Sequence, residues 1–402
     1  MLNFLKEFEK KVSPTLNGTR RIQIIDKLLS GNQERKKEAY SVLRKLLLKM
    51  PQISASDLDI GGPRTNNLAW FRIYGKKLPY KKGLKISNEE ATALLLSVLD
   101  MNQKKALIDN RNLDFALHVK DDSDNLMRYR ANMFFERGYL CASIRHIQQS
   151  LRDLEDLGIP EPIVNRLNLS HEKTGLILIT GITGSGKSTT LDTIIDLNNK
   201  NNEGHIIIIG NPIEYVHTSN KSIVSHREIG EDVLTFKNGT LEALRQDPDI
   251  IVVGEMRSAA TISTVLEVTD SGHKVFSTLH TSSSVESIHR IIAEFAPSEQ
   301  ERIRFRLADT LKVVISQKLV PNVNGRLSLA KEILSVDPSV QAAIRNDNIT
   351  EIFQMITEGK QRGMYTLHQD LLRLVQKGVI TRETALDHAN NRKVMKQLLK
   401  YT

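Results

Sequence analysis

The amino-acid sequence predicts an α/β protein built around a parallel β-sheet. Four short apolar runs, at residues 176–180, 205–209, 250–253 and 274–278, alternate with segments of helical spacing. Nearly continuous apolar runs are typical of strands that are buried on both faces of a parallel sheet. A glycine-rich loop, Gly181–Ser188, follows the first run and precedes a helical segment. This order of strand, loop and helix is typical of the start of an α/β domain.

The length of 402 residues predicts two or three domains. Apolar residues recur at helical spacing near the start. Further on, short apolar runs at 69–74 and 128–130 predict strands, and Ser87 with Glu90 predicts a helix start. We therefore expect four parts: a helical N-terminal extension (1–50), a smaller α+β domain (51–160), the α/β core (161–339) and a C-terminal helical subdomain (340–402) with Leu371, Leu372, Leu374 and Val375 in its core.

Composition narrows the class of protein. Hydrophobic residues make up 40% of the chain and charged residues 26%, which is typical of globular domains. The formal net charge of +9 would suit nucleic acid, anionic lipid or an acidic partner, but basic and acidic residues are interspersed, which favours a mixed solvated surface. Aromatic residues make up only 5%, which argues against a base-stacking groove and against direct nucleic-acid binding.

Location follows from cysteine use and hydropathy. Cys141 is the single cysteine, so no intrachain disulfide can form, which indicates a reducing compartment. No apolar stretch is long enough for a membrane-spanning helix, and the acidic residues near the start do not suit a secretory signal. We expect a cytoplasmic protein, and peripheral attachment to an inner-membrane complex stays open.

The loop Gly181–Ser188 matches the phosphate-binding pattern G-x-x-x-x-G-K-[ST]. Glycines allow backbone N–H groups to turn toward phosphates, and the N-terminus of the following helix favours an anion. Lys187 would reach the β- and γ-phosphates of ATP, and the Ser188 hydroxyl would ligate Mg²⁺. The predicted nucleotide-binding residues are Gly181, Thr183, Gly184, Ser185, Gly186, Lys187, Ser188 and Thr189.

Two carboxylates follow predicted strands on the same edge of the sheet. Glu255 comes after the run 250–253, and Glu214 comes after the run 205–209. Ligands of α/β sheets bind at the carboxyl ends of the strands. We favour Glu255 as the catalytic base for ATP hydrolysis and Glu214 as a residue that holds hydrated Mg²⁺ or orients water. A solvent-facing acid is the alternative for each.

Two histidines flank the run 274–278. His280 would lie at the carboxyl edge of the sheet, near the γ-phosphate, where it could sense the state of the nucleotide, whereas His273 would lie at the opposite end. A single histidine in such a place is more often structural, so residue type alone leaves the role of His280 open.

Four ordered segments resemble the secretion and pilus-motor ATPases of the PilT/GspE-like superfamily. Gly181–Thr190 is similar to the Walker A motif, Asn211–His217 to the Asp box, Gln246–Arg257 to the atypical Walker B motif, and Gly272–Thr281 to the His box. The resemblance implies a RecA-like P-loop ATPase core, a smaller α+β (PAS-like) N-terminal domain, C-terminal helices and a homohexameric ring. It also favours His280 as a site residue.

The resemblance extends to two arginines of the first domain. The segments that contain Arg130 and Arg145 are similar to family segments that supply arginines to the nucleotide. A guanidinium group matches phosphate oxygens through its planar fork, so both arginines are candidates to stabilise charge on the γ-phosphoryl group. Ordinary surface arginines are the alternative.

Two departures and two similarities favour one branch of the superfamily. Gly210-Asn211 stand where pilus-retraction members carry Glu-Asp, and Ser339–Ile344 does not reproduce their signature Ala-Ile-Arg-Asn-Leu-Ile. Gln317–Pro321 and His280–Ser282 look more like the type IVB secretion and conjugative-transfer branch (DotB/TraJ-like). We therefore expect a motor at the cytoplasmic face of the inner membrane, with platform or secretion-channel partners. Pilus retraction is one alternative, and a nucleic-acid translocase or a nucleotide-gated scaffold is another.

Overall fold

The computed structural model describes residues 12, 16, 18–73, 75–80, 85–147 and 151–401. The chain forms two compact units, Met1–Gln149 and Ser150–Thr402. The expected helical spacing over residues 1–11 lies outside the described residues. The finer division of the chain at residues 50, 160 and 339 stays a prediction.

The first unit combines helices with an antiparallel sheet. Its elements are α1 (Gly18–Ser30), α2 (Gln33–Gln52), β1 (Ala55–Ile60), β2 (Trp70–Ile73), β3 (Lys76–Pro79), α3 (Asn88–Leu96), α4 (Met101–Asn110), β4 (Asn112–Lys120), β5 (Leu126–Glu136) and β6 (Tyr139–Ile147). The strand order is β3-β2-β1-β6-β5-β4, with antiparallel neighbours throughout. The runs predicted as strands lie in β2 and β5, which confirms the α+β class.

One hydrophobic core holds this unit together. Ile25 of α1 and Leu47 of α2 are fully buried in the same cluster as Tyr129 of β5. The Tyr129 hydroxyl donates a hydrogen bond to the Leu47 carbonyl at 3.0 Å, so its polar end is satisfied inside the core. At α3, Ser87 and Glu90 form the reciprocal capping box that the sequence predicted. The helices are thus part of the core of this unit.

The second unit is a mixed sheet between helices. It comprises α5 (Glu161–Leu167), β7 (Gly175–Thr180), α6 (Lys187–Asn201), β8 (His205–Gly210), β9 (Ile223–Glu228), α7 (Phe236–Ala243), β10 (Ile250–Val253), α8 (Ala259–Asp270), β11 (Lys274–Leu279), α9 (Ser284–Ala293), α10 (Pro297–Thr310), β12 (Leu311–Pro321), β13 (Leu327–Ser335), α11 (Pro338–Arg345), α12 (Ile352–Glu358), α13 (Leu367–Gln376), α14 (Arg382–His388) and α15 (Arg392–Leu398). The strand order is β13-β12-β7-β11-β10-β8-β9, and only the pairing of β12 with β13 is antiparallel.

The four predicted strands are confirmed as β7, β8, β10 and β11. The strands β9, β12 and β13 were not among the candidates. β9 lies at an edge of the sheet, where Ile223 is exposed and polar residues are only partly buried. A search for continuous apolar runs misses an exposed edge strand of this kind. It also misses β12 and β13, because buried polar residues such as Gln317 and Lys331 interrupt their apolar runs.

Alternate residues of the central strands enter two different cores. Leu176 and Leu178 of β7 pack in one cluster with residues of α8, α9 and α10, whereas Ile177 and Ile179 pack in the other with residues of α5 and α6. Full burial of one such side chain stabilises the fold by about 1.5–3 kcal/mol. Because β7, β8, β10 and β11 are parallel, the loops that follow them meet at one edge of the sheet.

The C-terminal helices have a core of their own. Leu367, Leu371 and Leu374 of α13 pack with Met395 of α15 and with Val320 of β12. Leu372 and Val375 are partly buried against this cluster, so the predicted apolar face of this region is confirmed. Within the described ranges, no helix is both long and apolar enough to cross a membrane.

Candidate nucleotide-binding site

The loop between β7 and α6 requires glycine for two reasons. Gly181, Gly184 and Gly186 adopt φ values of +152°, +80° and +86°, which side chains rarely adopt. At Gly181, an added Cβ would also lie 2.3 Å from the Ser185 Oγ atom and 2.5 Å from the Gln317 carbonyl oxygen. At Gly184, the same atom would meet open space. The loop therefore turns tightly at its start and exposes backbone further on.

Lys187 is folded into this loop. Its side chain is 9% exposed, and its Nζ atom donates hydrogen bonds to the carbonyls of Gly181 at 2.8 Å and Ile182 at 3.2 Å. Burial lowers the pKa of Lys187, and the carboxylates of Glu214 and Glu255 act in the opposite direction. The structure thus brings the predicted lysine within electrostatic reach of both predicted carboxylates.

The N-terminus of α6 completes the cradle. This helix has 15 residues and begins at Lys187, after Gly186 as its N-cap. Glycine has no side chain with which to cap the first backbone N–H groups, and the helix dipole gives that end partial positive charge. A phosphate group fits both features. Ser188 and Thr189 lie in this first turn, as predicted.

Gln317 supports the loop from β12, and sequence reasoning missed it as a site residue. Its Nε2 atom donates to the Ser185 carbonyl at 2.9 Å, and its side chain is buried. The Ser185 Oγ and Gln317 Oε1 atoms are buried and have no hydrogen-bond partner among the described residues. No local pattern could reveal this contact, because 132 residues separate the two partners.

Glu255 lies directly beyond β10 and Gly254, at the predicted edge. Two hydroxyls of β11 fix the end of β10: Ser277 donates to the Val253 carbonyl, and Thr278 donates to the Gly254 carbonyl, each at 2.6 Å. The Glu255 carboxylate pairs with the Arg257 guanidinium at 2.9 Å. Arg257 is a second charged group that the sequence analysis did not assign, although it stands only two residues from the predicted base.

His280 lies beside this carboxylate. Its Nε2 atom is 3.9 Å from the Glu255 Oε2 atom, and Arg290 donates a hydrogen bond to its backbone carbonyl at 2.9 Å. Burial lowers the pKa of His280, and the cations Lys187 and Arg257 lower it further. The imidazole is therefore neutral at neutral pH, so its contact with Glu255 is not an ion pair. His273 lies at the other end of β11, as expected.

Glu214 lies in the loop that follows β8, and its side chain is exposed. The neighbouring Ile213 backbone N–H donates to the Glu228 carboxylate at 3.1 Å. A Cβ on Gly210 would lie 2.7 Å from the Ile213 Cδ1 atom, so the glycine in this departure from the family pattern suits the close packing of the loop. Glu214 is thus held near Lys187 by an anchored loop.

Arg130 and Arg145 lie in the first unit, directly opposite each other on β5 and β6. The Arg145 Nε atom donates to the Asp57 carboxylate at 2.9 Å, although the side chain of Arg145 is 60% exposed. The side chain of Arg130 forms no hydrogen bond or ion pair within the described part of the chain. Their contact with a nucleotide stays a prediction.

The arrangement defines a class of protein. A glycine-rich turn that a Cβ would fill, a buried lysine and an uncapped helix N-terminus fit a chain of phosphates, and a carboxylate that follows β10, two strands away in the same sheet, suits the activation of water. These features together are those of a P-loop nucleotide hydrolase.

Comparison with known proteins gives the family. The chain belongs to the type II/IV secretion system protein family, whose profile matches residues 84–397. It is 37% identical over 311 residues to a twitching motility protein of Neisseria gonorrhoeae, a match that covers 77% of this chain and 81% of that protein.

Two solved structures extend the similarity. The pilus retraction motor PilT with bound ADP shares 34% identity at a TM-score of 0.78, over 88% of this chain and 98% of that one. The Legionella pneumophila ATPase DotB shares 26% identity at a TM-score of 0.70, over 90% and 96%. The chain is therefore a nucleotide-binding ATPase of the PilT/GspE-like superfamily of secretion and pilus motors. It has a RecA-like core, a smaller N-terminal domain and C-terminal helices.

Proposed function

We propose that this chain is the ATP-driven motor that retracts a type IV pilus. The motor class rests on one observation above all: the buried Lys187 lies folded into the phosphate loop after β7, and Glu255 follows β10 at the same carboxyl edge of the sheet. Within that class, the matched names favour pilus retraction, because identity and TM-score are higher for the PilT structure than for DotB. The branch favoured by the sequence alone, secretion or conjugative transfer, becomes the second candidate.

A segment similar to the retraction signature supports the ranking of pilus retraction above secretion or conjugative transfer. Ala343-Ile344-Arg345-Asn346 reproduces its first four residues, and Asp347-Asn348 replaces its final Leu-Ile. The partial match begins at Ala343 and not at Ser339, so four of the six signature residues are present and the full signature stays absent. Ile344 is buried at the end of α11, and Arg345 pairs with Asp309 on α10. The segment therefore joins two helices of the core.

The proposed roles at the loop follow its geometry. The nucleotide-binding residues would be Gly181, Thr183, Gly184, Ser185, Gly186, Lys187, Ser188 and Thr189. Backbone N–H groups of the loop would hold the phosphates, and Lys187 would exchange its two carbonyl partners for phosphate oxygens. Ser188 would ligate Mg²⁺ and Glu214 would hold its water ligands, because Mg²⁺ prefers oxygen ligands and retains several waters.

The proposed roles in hydrolysis concern the strand ends. Glu255 would accept the proton of the attacking water. It would do so once the phosphates have partly neutralised the positive charge of the neighbouring Lys187 and Arg257. The neutral His280 would orient the γ-phosphate or the water through its Nε2 atom. Arg130 and Arg145 would stabilise charge on the γ-phosphoryl group, which a planar guanidinium suits.

The proposed assembly is a homohexamer at the cytoplasmic face of the inner membrane, peripherally attached through a pilus platform protein. The names of the twitching motility relative and of the pilus retraction motor support the pilus part of this setting. DotB supports the second candidate, a secretion motor with secretion-channel partners.

Steady-state ATPase activity with light scattering tests the enzyme and its assembly. We expect Mg²⁺-dependent turnover from a six-subunit species. Lys187→Ala should lose both nucleotide binding and turnover, and Glu255→Gln should bind nucleotide but lose turnover by about 100-fold or more. Glu267→Gln, which changes an exposed acid on α8, is the matched control. Normal turnover in Glu255→Gln would overturn the base assignment.

The direction of work is tested in the native bacterium. A retraction motor that cannot hydrolyse ATP leaves pili extended, so a strain carrying Lys187→Ala should display more surface pili and lose surface motility. Normal pili together with impaired transfer of protein or DNA would reject retraction and support the secretion candidate.

A further inference from the structure

The Asp-box loop (Asn211–His217) is anchored on both sides of Glu214. On one side, the Ile213 N–H group donates to the Glu228 Oε2 atom at 3.1 Å. On the other, the His217 N–H group donates to the His226 Nε2 atom at 3.0 Å. Glu228 and His226 both belong to the edge strand β9, so one neighbouring strand holds the loop at two points.

The His217 side chain adds a third anchor, on a different element. It is 4% exposed, and its Nε2 atom lies 3.3 Å from the Asp192 Oδ1 atom. Asp192 stands on α6, one helical turn beyond Ser188, so the two residues share a face of the helix that starts at the phosphate loop. The His217 Nδ1 atom has no hydrogen-bond partner among the described residues, so the polar contact of the ring runs through Nε2.

Packing restricts the orientation of this imidazole. The Tyr215 ring meets it edge-on with centroids 4.6 Å apart, and the His226 ring stacks nearly parallel to it at 6.2 Å. Two aromatic neighbours restrict the orientations in which the ring can present its Nε2 atom to Asp192. The contact therefore links the Asp-box loop to the phosphate-loop helix by geometry as well as by charge.

We propose that His217 is a positioning residue, which acts through Asp192 to hold Glu214 at a fixed distance from Ser188. This inference rests on the proposed function, in which Ser188 and Glu214 together hold hydrated Mg²⁺. Mg²⁺ demands near-ideal octahedral geometry, so a small displacement of one oxygen donor weakens its binding. The alternative for His217 is a buried residue that only stabilises the fold.

The test measures Mg²⁺ binding rather than turnover. A fluorescent ADP analogue is titrated onto the full chain at rising Mg²⁺ concentrations and also in EDTA. His217→Phe keeps an aromatic ring but removes the hydrogen bond with Asp192, and His217→Gln keeps a donor near the Nε2 position. We expect His217→Phe to raise the Mg²⁺ concentration at half-effect by about tenfold while the affinity in EDTA stays unchanged. His217→Gln should stay within about threefold of the unmodified chain, because its amide can still donate to the Asp192 carboxylate.

A variant on the helix side covers the case in which His217→Phe does not fold. Asp192→Ala removes the same hydrogen bond from the helix side and should shift the Mg²⁺ requirement equally. Combining it with His217→Phe should add nothing further, because two residues that act through one contact are not additive. Equal losses of affinity in EDTA and in Mg²⁺ would show a structural role and overturn the inference.

Glu214→Gln separates failure of this inference from failure of the proposed function. If Glu214→Gln leaves the Mg²⁺ requirement unchanged, the proposed metal role of Glu214 is wrong. If Glu214→Gln raises it while His217→Phe and Asp192→Ala do not, the metal role stands and the positioning role of His217 is wrong.

Discussion

Replacing Gly181 by alanine should damage the phosphate loop more than any comparable change within it. The added Cβ would lie 2.5 Å from the Gln317 carbonyl oxygen and 2.3 Å from the Ser185 Oγ atom. The Ser185 hydroxyl can turn away. The carbonyl cannot, because Gln317 lies within β12, which pairs with strands on both sides.

The expected cost has two parts. A non-glycine residue at φ +152° is strained by about 1–3 kcal/mol, and relieving an overpacked contact costs about 1–3 kcal/mol more. The loop can relieve the backbone strain and the close contact by leaving its phosphate-binding conformation. The substitution should therefore lower the affinity for nucleotide. A total of about 2–6 kcal/mol corresponds to a loss of at least about 30-fold.

Gly184→Ala is the matched control. Its φ of +80° carries a strain of about 1–2 kcal/mol, but its Cβ meets open space. The assay is titration of a fluorescent ADP analogue, with thermal unfolding to confirm that both variants fold. The midpoints of the two ranges differ by about 2.5 kcal/mol, so Gly181→Ala should bind roughly 50-fold more weakly than Gly184→Ala. Equal affinities would show that the contact with Gln317 does not shape the loop.

Three further predictions concern separate parts of the chain. Burial lowers the pKa of Lys274 from 10.5 to about 8, so between these pH values the unfolded chain binds the extra proton and stability rises with pH. From pH 7.5 to 9.5, the free energy of unfolding should rise by roughly 2 kcal/mol more in the unmodified chain than in Lys274→Met, as measured by circular dichroism in urea. If the difference between the two chains did not change with pH, the lowered pKa of Lys274 would be contradicted. Ser87→Ala removes a capping box and should lower the free energy of unfolding by about 1 kcal/mol. Urea unfolding followed by the fluorescence of Trp70, the single tryptophan, measures this change, and an unchanged unfolding midpoint would mean that the cap contributes nothing. Gln317→Met removes the donor to the Ser185 carbonyl and should weaken ADP binding by about fivefold, which corresponds to roughly 1 kcal/mol. An unchanged affinity for ADP would show that Gln317 does not support the loop.

Local patterns in the sequence determined much of this protein. The phosphate loop is a continuous segment whose glycines and Lys187 act through their own backbone turn, so eight consecutive residues suffice to predict it. The central strands of the sheet are buried on both faces, so they appear in the sequence as apolar runs that predict strands directly. The cap at Ser87 involves residues three positions apart. Each of these features depends on neighbours along the chain.

Tertiary structure decided the contacts that join distant segments. Gln317 reaches Ser185, and His217 reaches Asp192, only because β12 lies beside β7 and the Asp-box loop lies beside α6. The strand β9 was missed because half-exposed edge strands lack a strong apolar pattern. Hydrogen bonds and packing between such segments depend on the order of strands in the sheet, and local patterns in a single sequence do not predict that order.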